Sequence, residues 1–286
     1  MFYLISMLLL LVVGLLTFLL WGEARLYRPD ARYPNRMPVQ PGKPRLVCVG
    51  DSLTHGNVSA NYVELLAQKF SDWQVFNAGI NSDLSETLLR RLDDVIAVNP
   101  DVVTVLIGTN DVNATLSRVA LFSYRRHGKT TGAPDAERYR GNLQQIVRRL
   151  KAGTSAQIAL LSLPPMGEDL DHEANRRADF YSEVIRETAD TEGVAYLPLR
   201  EKLKEALTRT PSKPRIRYEE TVKTVALSAL LRHVFGWRYE RIARRHGNRF
   251  LTDNLHLNEA GAAVVAGLVE SFVSSELKNS VTLKTS

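Results

Sequence analysis

Leu46–Leu53, with the sequence LVCVGDSL, is the stretch that decides the fold of this chain. Its first four residues are apolar, and a short apolar run without alternation is typical of a strand buried on both faces. Gly50 and Asp51 then form a turn, and Ser52 comes directly after it. The pattern predicts a buried strand, Arg45–Val49, that brings a serine hydroxyl to the end of a sheet.

Beyond this strand, short apolar runs alternate with stretches of helical periodicity. The predicted strands that follow are Trp73–Asn77, Asp101–Ile107, Gln157–Ser162 and Val194–Leu197. The predicted helices between them are Asn61–Phe70, Leu84–Val98, Glu137–Lys151 and His172–Thr191. Strands that alternate with helices are typical of an α/β fold, here a three-layer doubly wound domain around a central parallel sheet.

Three more polar segments occur after the serine turn. They are Asn77-Ala78-Gly79, Gly108-Thr109-Asn110-Asp111 and Asp253-Asn254-Leu255-His256. Sites in open α/β sheets form outside the carboxyl ends of the strands. Because Ser52, Gly79 and Asn110 follow the first, second and third strands, we expect these three residues to lie close together.

The histidine segment supplies the groups that activate a serine. A serine hydroxyl is inert near neutral pH unless a base takes its proton, and His256 is the candidate base for Ser52. Asp253, three residues earlier, would accept the other imidazole N–H and orient the ring. Each residue taken alone is more often a helix cap or a turn residue. Taken together in this order, the residues favour catalysis over a structural role.

The four segments resemble the signature blocks of the GDSL, or SGNH, hydrolase family, and the resemblance extends from about Arg45 to Phe272. It implies a flavodoxin-like fold and a serine esterase or lipase that works through an acyl-enzyme. The implied catalytic residues are Ser52, Asp253 and His256. The implied oxyanion hole is formed by the backbone N–H of Ser52, the backbone N–H of Gly79 and the side-chain amide of Asn110.

Composition limits the class of protein further. The 286 residues are 44% hydrophobic and 24% charged, as in a globular protein with a substantial core. The single cysteine, Cys48, excludes an intramolecular disulfide and is expected to be buried and structural. No cluster of His, Cys and carboxylates has the spacing of a metal site and no glycine-rich phosphate loop occurs, so we expect no metal and no cofactor. His55 is expected to line the site or to be exposed rather than to act as the base, and the four remaining histidines to be solvated.

An apolar segment precedes the domain. Phe2–Trp21 carries no charged side chain, and twenty residues in a helix span about 30 Å, the thickness of a bilayer core. The run is longer than the core of a signal peptide and no basic residue precedes it, so an uncleaved transmembrane anchor is favoured over cleavage near Gly22-Glu23-Ala24. Six basic residues follow within residues 25–45 and favour a cytoplasmic domain, whereas the resemblance to exported enzymes favours the other side. The side of the membrane stays open.

The predicted organisation has four parts. They are an anchor at residues 1–24, a tether at residues 25–44, a hydrolase domain at residues 45–276 and a tail at residues 277–286. The tether is rich in proline, with Pro34, Pro38, Pro41 and Pro44, which is typical of a semi-rigid spacer.

Two basic segments stand outside the alternation of strands and helices. Thr115–Pro134 follows the third strand, and residues 201–249 form an insertion with thirteen Lys or Arg against five Glu. Periodicity in the insertion predicts helices at Glu219–Val234 and Trp237–His246. A solvated face and contact with anionic lipid head groups beside the anchor explain this charge equally well. Nucleic-acid binding is disfavoured, because the sequence contains no recognisable nucleic-acid module.

These features predict a membrane-anchored serine hydrolase that cleaves carboxylic esters of lipid-like or acylated substrates. The expected partners are the ester substrate and the membrane, through residues 2–21 and the basic insertion, with no nucleic acid. A carbohydrate O-acetylesterase and an acyltransferase are alternatives within the same fold, because the long insertion departs from simpler members of the family. A non-catalytic, membrane-tethered binding protein is the alternative of another class. A fluorophosphonate distinguishes these classes, since a pseudoenzyme stays unlabelled.

Overall fold

The computed structural model describes residues 26–285, and it describes side chains up to residue 276. Five parallel strands form one sheet in the order β2-β1-β3-β4-β5. The strands are β1 (Arg45–Gly50), β2 (Gln74–Gly79), β3 (Val102–Leu106), β4 (Gln157–Leu161) and β5 (Ala195–Leu197). All five agree with the predicted strands to within two residues at either end. The central parallel sheet is therefore confirmed.

Helices cover both faces of the sheet. The helices that precede β5 are α1 (Ser52–His55), α2 (Tyr62–Lys69), α3 (Ser85–Arg90), α4 (Leu92–Ala97), α5 (Thr109–Leu116), α6 (Arg118–Arg126), α7 (Ala136–Gly153) and α8 (Glu173–Glu192). Those that follow it are α9 (Leu199–Arg209), α10 (Thr221–His233), α11 (Tyr239–His246) and α12 (Glu259–Thr285), with a 3₁₀ turn at Tyr218–Glu220.

The alternation of side chains along β1 builds two hydrophobic cores. Val47 and Val49 belong to one core, which α3, α4, α7 and α8 close. Leu46 and Cys48 belong to the other, which α2, α9, α11 and α12 close. Because side chains of successive strand residues point to opposite faces, a strand that is apolar throughout requires helices on both sides. Cys48 is fully buried, as expected for a structural cysteine.

The predicted helix Leu84–Val98 is in fact two helices, α3 and α4, which meet at Arg91. The Arg91 guanidinium forms an ion pair with Asp83 at 2.6 Å and donates to the carbonyl of Gly50 at 2.8 Å. The break thus lies where this side chain reaches the end of β1, a tertiary contact that local periodicity does not contain.

Residues 26–44 lie against the domain, which differs from the spacer predicted for them. The Tyr33 side chain is buried and its hydroxyl donates to Asp94 at 3.0 Å. The N–H of Asn77 in β2 donates to the carbonyl of Arg32 at 3.0 Å, so this segment covers the edge of the sheet. An exposed strand edge is a liability that proteins commonly cover in this way. At the other end of the domain, α12 continues into the residues predicted as a tail.

Within residues 26–285, no helix is long and apolar enough to cross a membrane. The predicted anchor, Phe2–Trp21, lies outside the described residues.

Candidate active site

The turn after β1 places Ser52 at the first residue of α1. Gly50 is required there, because a Cβ at this position would lie 2.3 Å from the carbonyl oxygen of Leu106 on the neighbouring strand. Asp51 caps the helix, and its Oδ1 accepts the N–H of Leu53 at 2.9 Å. Burial raises the pKa of Asp51 to about 7, although the Leu53 N–H and the His256 charge pull it down.

The structure brings Ser52, His256 and Asp253 into one hydrogen-bonded line. The Ser52 hydroxyl lies 3.1 Å from Nε2 of His256, and Nδ1 of His256 lies 3.0 Å from Oδ2 of Asp253. A carboxylate only accepts hydrogen bonds, so Nδ1 carries the proton and Nε2 is left to accept from the serine. All three side chains are buried.

Residues 253–256 form the histidine loop. Hydrogen bonds from its own backbone to the Asp253 side chain and from a neighbouring segment to a buried glutamate hold this loop in place. Oδ1 of Asp253 accepts the N–H groups of Leu255 and His256, at 2.7 and 2.9 Å, which fixes the carboxylate beside the imidazole. Just before the loop, the Glu168 carboxylate accepts three consecutive backbone N–H groups, those of residues 249–251, at 2.6 to 2.8 Å. Sequence reasoning missed Glu168, because nothing in its local pattern distinguishes it from a surface carboxylate.

Burial and charge have opposite effects on the pKa of His256, and likewise on the pKa of Asp253. Burial lowers the pKa of His256, but the Asp253 carboxylate beside it outweighs burial and holds the pKa above its ordinary value. For Asp253, burial raises the pKa, but the His256 charge and the hydrogen bonds from residues 255 and 256 outweigh it and leave the pKa lowered. Asp253 therefore remains ionised wherever His256 titrates.

Two of the three predicted oxyanion donors border the turn formed by Asp51 and Ser52. The N–H of Ser52, at the start of α1, has no acceptor among residues 26–285. The side chain of Asn110, on the first turn of α5, donates through Nδ2 to the carbonyl of Asp83 at 2.9 Å and reaches Oδ2 of Asp51 at 3.4 Å. The second of these contacts is long and weak, so one N–H of this amide remains available beside the serine turn.

Gly79, the third predicted donor, makes a different contact. Its N–H donates to Oδ1 of Asn77 at 3.0 Å. A Cβ at this position would lie 2.1 Å from the backbone nitrogen of His55 in α1, so glycine is needed for the close packing of α1 on the end of β2. The structure thus explains this glycine by packing, and its role as an oxyanion donor stays a prediction.

A chain of hydrogen bonds that the sequence did not reveal holds Asn110. The Tyr124 hydroxyl donates to Oδ1 of Asn110 at 2.7 Å, and it accepts from Nδ2 of Asn113 at 3.0 Å. Oδ1 of Asn113 in turn accepts from the Tyr218 hydroxyl at 3.0 Å. Tyr124 lies in α6, within a stretch that the sequence presents only as basic, and Tyr218 lies in the insertion.

Two further histidines are buried, and one of them, His246, differs from its prediction. The His55 Nδ1 contacts Oδ1 of Asn81 at 3.0 Å, so His55 lies beside the site, without a side-chain hydrogen bond to Ser52. Burial lowers its pKa. His246, predicted to be solvated, is buried too, with Nδ1 bonded to the carbonyl of Thr252 at 2.8 Å. Both histidines occupy structural positions.

Behind the histidine loop lies a cavity of about 690 Å³ whose walls include Met166, Leu170, His172, Ile216, Tyr218 and Asn254. Its size is in the range of ligand pockets. Ser52 and His256 are not part of its walls, so the reacting groups themselves lie outside this cavity. In the described part of the chain, no group of three or more His, Cys, Asp or Glu side chains is placed to hold a metal ion.

Comparison with known proteins agrees with the fold and with the family that the sequence predicts. The sequence profile of the GDSL-like lipase/acylhydrolase family matches residues 48–264, most of the chain. A comparison with curated proteins found no match. Among solved structures, the acetyl xylan esterase AlAXEase is 23% identical with a TM-score of 0.56, over 80% of this chain and 99% of its own. Axe2, an acetylxylan esterase from Geobacillus stearothermophilus, is 20% identical with a TM-score of 0.54, over 82% of this chain and 94% of its own.

A third solved structure, LAE5, is described as an alpha/beta hydrolase enzyme from the metagenome of Lake Arreo, Spain. It is 19% identical with a TM-score of 0.56, over 86% of this chain and 96% of its own. Identities this low establish a shared fold, and the profile match over residues 48–264 adds the family. The chain therefore belongs to the GDSL-like lipase/acylhydrolase family of serine ester hydrolases.

Proposed function

We propose that this protein hydrolyses carboxylic esters through an acyl-enzyme on Ser52, with His256 as the base and Asp253 as the residue that orients it. The observation that carries the proposal is the pair of contacts at His256, 3.1 Å to the Ser52 hydroxyl and 3.0 Å to the Asp253 carboxylate. These are the distances that proton transfer to a general base requires.

In the first half of the reaction, Ser52 Oγ attacks the ester carbonyl carbon while its proton passes to Nε2 of His256. The imidazolium that forms is stabilised by the Asp253 carboxylate across Nδ1. The carbonyl oxygen becomes an oxyanion, which the N–H of Ser52 and one N–H of Asn110 stabilise. When the intermediate collapses, the alcohol leaves with the proton from Nε2 and the acyl group remains on Ser52.

In the second half, water replaces the alcohol. His256 takes a proton from the water as it attacks the acyl-enzyme, and then returns the proton to Ser52 as the carboxylic acid departs. Each half uses the same two donors for the oxyanion. Donors that are held before the reaction begins need no reorganisation in the transition state, and removal of one typically costs ~10²–10³ in turnover.

Two substrate classes follow from the fold and the sequence. Lipid-like or otherwise acylated esters are favoured, because the apolar run Phe2–Trp21 would attach the protein to a membrane. Carbohydrate O-acetyl esters are the second class, because the solved structures AlAXEase and Axe2 are acetyl xylan esterases that share the fold. Transfer of the acyl group to an alcohol instead of water uses the same acyl-enzyme.

A panel of esters separates these classes. We expect the full-length protein, purified in detergent, to hydrolyse p-nitrophenyl acetate, and the Ser52→Ala variant to lose this activity while it keeps its circular dichroism spectrum. Activity that rises with acyl chain length supports a lipid-like substrate, and release of acetate from acetylated xylooligosaccharides supports the second class. A folded wild type that cleaves no ester in the panel and resists a fluorophosphonate contradicts the proposal and supports a binding protein.

A further inference from the structure

Helix α10 has the reverse of the usual distribution of side chains. A surface helix normally buries its apolar face and exposes its polar one. In α10 the buried residues are Thr221, Thr224 and Ser228, while Val225 and Leu231 are half-buried against the two cores. The exposed large apolar residues of α10 and its C-terminal continuation are Val222, Leu227, Leu230, Val234 and Phe235. An apolar face of this kind on a soluble domain marks a surface that another body covers.

Helix α6 presents a second apolar surface. Val119 and Phe122, one turn apart, are 61% and 68% exposed, whereas Ala120 and Tyr124 are buried. Two large apolar side chains at a spacing of three residues lie side by side on one face of a helix. The buried side of α6 is the side that carries Tyr124 toward Asn110, so the exposed side faces away from the domain at the same end of the molecule.

The charged residues of α6 and α10 themselves are all basic. Residues 117–130 and 221–238 contain no Asp or Glu, and Glu219 and Glu220 lie directly before α10. The exposed basic residues in these two segments are Arg118, Arg125, Arg126, Lys223 and Arg238. Exposed apolar side chains on helices whose charged residues are basic match the chemistry of an anionic bilayer surface, where apolar groups enter the interface and cations contact the head groups.

Both helices adjoin the catalytic residues. Tyr124 of α6 bonds to the oxyanion residue Asn110 at 2.7 Å. At the start of α10, the Thr221 hydroxyl accepts from the side chain of Asn254, within the histidine loop, at 3.1 Å. The two apolar surfaces therefore flank the carboxyl end of the sheet, where the site lies.

The chain also enters the domain at this end. The carbonyl of Leu26 accepts from the side chains of Asn57 and Asn81, at 3.0 and 2.7 Å. The Tyr27 ring stacks on His127, at the C-terminus of α6, with 5.2 Å between ring centroids. Five peptide units separate Trp21 from Leu26, and they span at most roughly 18 Å. The described chain therefore enters the domain at the catalytic end, five residues after the apolar run Phe2–Trp21 in the sequence.

Helix α11, the arginine-rich helix of the insertion, does not share this character. It packs on the domain through Tyr239, Ile242, Ala243 and His246, as an ordinary amphipathic helix does. On its solvated side, Arg241 lies over the Trp237 ring at 3.8 Å, and Arg244 forms an ion pair with Glu240 at 3.8 Å. The charge of α11 is thus partly satisfied within the insertion, and α11 supplies a matched control for α6 and α10.

We infer that the exposed faces of α6 and α10 rest on an anionic lipid bilayer, with the mouth of the active site turned toward that surface. The inference deepens the proposed function, on which it rests for the attachment through Phe2–Trp21, and it gives the enzyme a substrate class, esters presented at the surface of the bilayer. A second copy of the chain and the protein's own apolar N-terminus are the other occupants that an apolar face admits, but neither explains why every charged residue within α6 and α10 is basic.

Site-specific fluorescence tests the inference on the full chain. Leu230→Cys and Phe122→Cys, each labelled with the environment-sensitive dye NBD, are reconstituted into phosphatidylcholine vesicles with and without phosphatidylglycerol, at less than one protein per vesicle. Cys48 is fully buried, so the dye attaches to the introduced cysteine. Ala152→Cys is the control, because Ala152 is exposed at the end of α7 that leads into β4, opposite the catalytic end of the sheet.

We expect NBD emission at positions 122 and 230 to move to shorter wavelength in vesicles that contain phosphatidylglycerol and to be quenched by brominated lipid, with neither effect at position 152. Arg125→Gln with Arg126→Gln should reduce the shift, and higher salt should reduce it further as the Debye length shortens. Arg244→Gln with Arg245→Gln, on α11, should leave it unchanged.

Emission at 122 and 230 that matches position 152 in vesicle-bound protein overturns the inference. A shift that occurs without lipid and disappears on dilution means that a second copy of the chain covers the surface. A shift that occurs without lipid and persists on dilution means that the N-terminal segment covers it. Hydrolysis of p-nitrophenyl acetate, measured on the same samples, reports the proposed function separately. Absence of that activity with an intact lipid-dependent shift would contradict the catalytic proposal, and it would still support contact of α6 and α10 with the bilayer.

Discussion

The Tyr124 hydroxyl donates to Oδ1 of Asn110 over 2.7 Å, and this contact determines which end of the Asn110 amide faces the serine turn. The other contacts of Tyr124 decide that its hydroxyl is the donor of this hydrogen bond. Because the Tyr124 hydroxyl already accepts from Asn113, its own proton is committed to Asn110. Burial raises the pKa of Tyr124, so the hydroxyl keeps that proton. The amide nitrogen of Asn110 is therefore held toward Asp51, beside Ser52, before any substrate arrives.

The Tyr124→Phe variant should lower kcat with little change in KM. It removes only the hydroxyl that orients Asn110, and an oxyanion donor acts mainly in the transition state. We expect a loss of roughly tenfold, less than the ~10²–10³ typical of removing a donor outright, because Asn110 itself remains. Steady-state kinetics with p-nitrophenyl acetate measure both constants.

Tyr181→Phe is the matched control for this variant. The Tyr181 hydroxyl is also buried but has no hydrogen-bond partner among the described residues, so its loss should leave kcat unchanged. Equal losses in the two variants, or a loss confined to KM in Tyr124→Phe, would show that Tyr124 does not position the oxyanion donor.

Gly79→Ala should destabilise the protein and, because α1 carries Ser52, lower kcat together with stability. The added Cβ would lie 2.1 Å from the backbone nitrogen of His55, so α1 has to shift, and overpacking of this kind costs roughly 1–3 kcal/mol of unfolding free energy. Thermal denaturation measures the loss of stability. An unchanged Tm with a ~10²-fold lower kcat would instead support the Gly79 N–H as an oxyanion donor.

The pH dependence of kcat/KM should follow His256. Only the neutral imidazole accepts the serine proton, so activity falls as pH drops through the pKa of His256, which Asp253 holds above its ordinary value against the effect of burial. In Asp253→Asn the larger raising charge is gone, while burial and the smaller raising effect of Asp51 remain, so the acidic limb should move to lower pH while the plateau falls, by up to ~10⁴. An acidic limb that stays in place in Asp253→Asn contradicts this assignment.

His55→Ala should be far less damaging to kcat than His256→Ala. The His55 Nδ1 hydrogen-bonds with Asn81 at 3.0 Å and forms no hydrogen bond with the Ser52 side chain. Comparison of the two variants at saturating substrate tests which histidine takes the proton. If both lose activity to the same extent while remaining folded, then His256 is not the sole base.

The parts of the fold that sequence predicted well are those with a strong local signal. β1 and β3 are mostly apolar without alternation, and their ends could be placed within a residue or so, because a strand buried on both faces has a composition that few other elements share. The convergence of Ser52 and Asn110 followed from the same reasoning, since the carboxyl ends of neighbouring parallel strands meet at one edge of a sheet.

The parts that sequence did not predict depend on contacts between distant segments. Tyr124 and Asn110 are fourteen residues apart, and no periodicity links them. The break at Arg91 depends on Asp83 and Gly50, and the close approach at Gly79 depends on α1. In α10 the polar and apolar faces are reversed, a property that the spacing of its apolar residues alone cannot show, because periodicity does not reveal which face is inside.

The most direct test of the central claim is covalent labelling of Ser52. After treatment of the full-length protein with a fluorophosphonate, we expect intact-protein mass spectrometry to show one phosphonyl group per chain and peptide mapping to place it on Ser52, with no label on Ser52→Ala and slow labelling of His256→Ala. A folded wild type that stays unlabelled, or a label on any other serine, would contradict the assignment of Ser52 as the nucleophile.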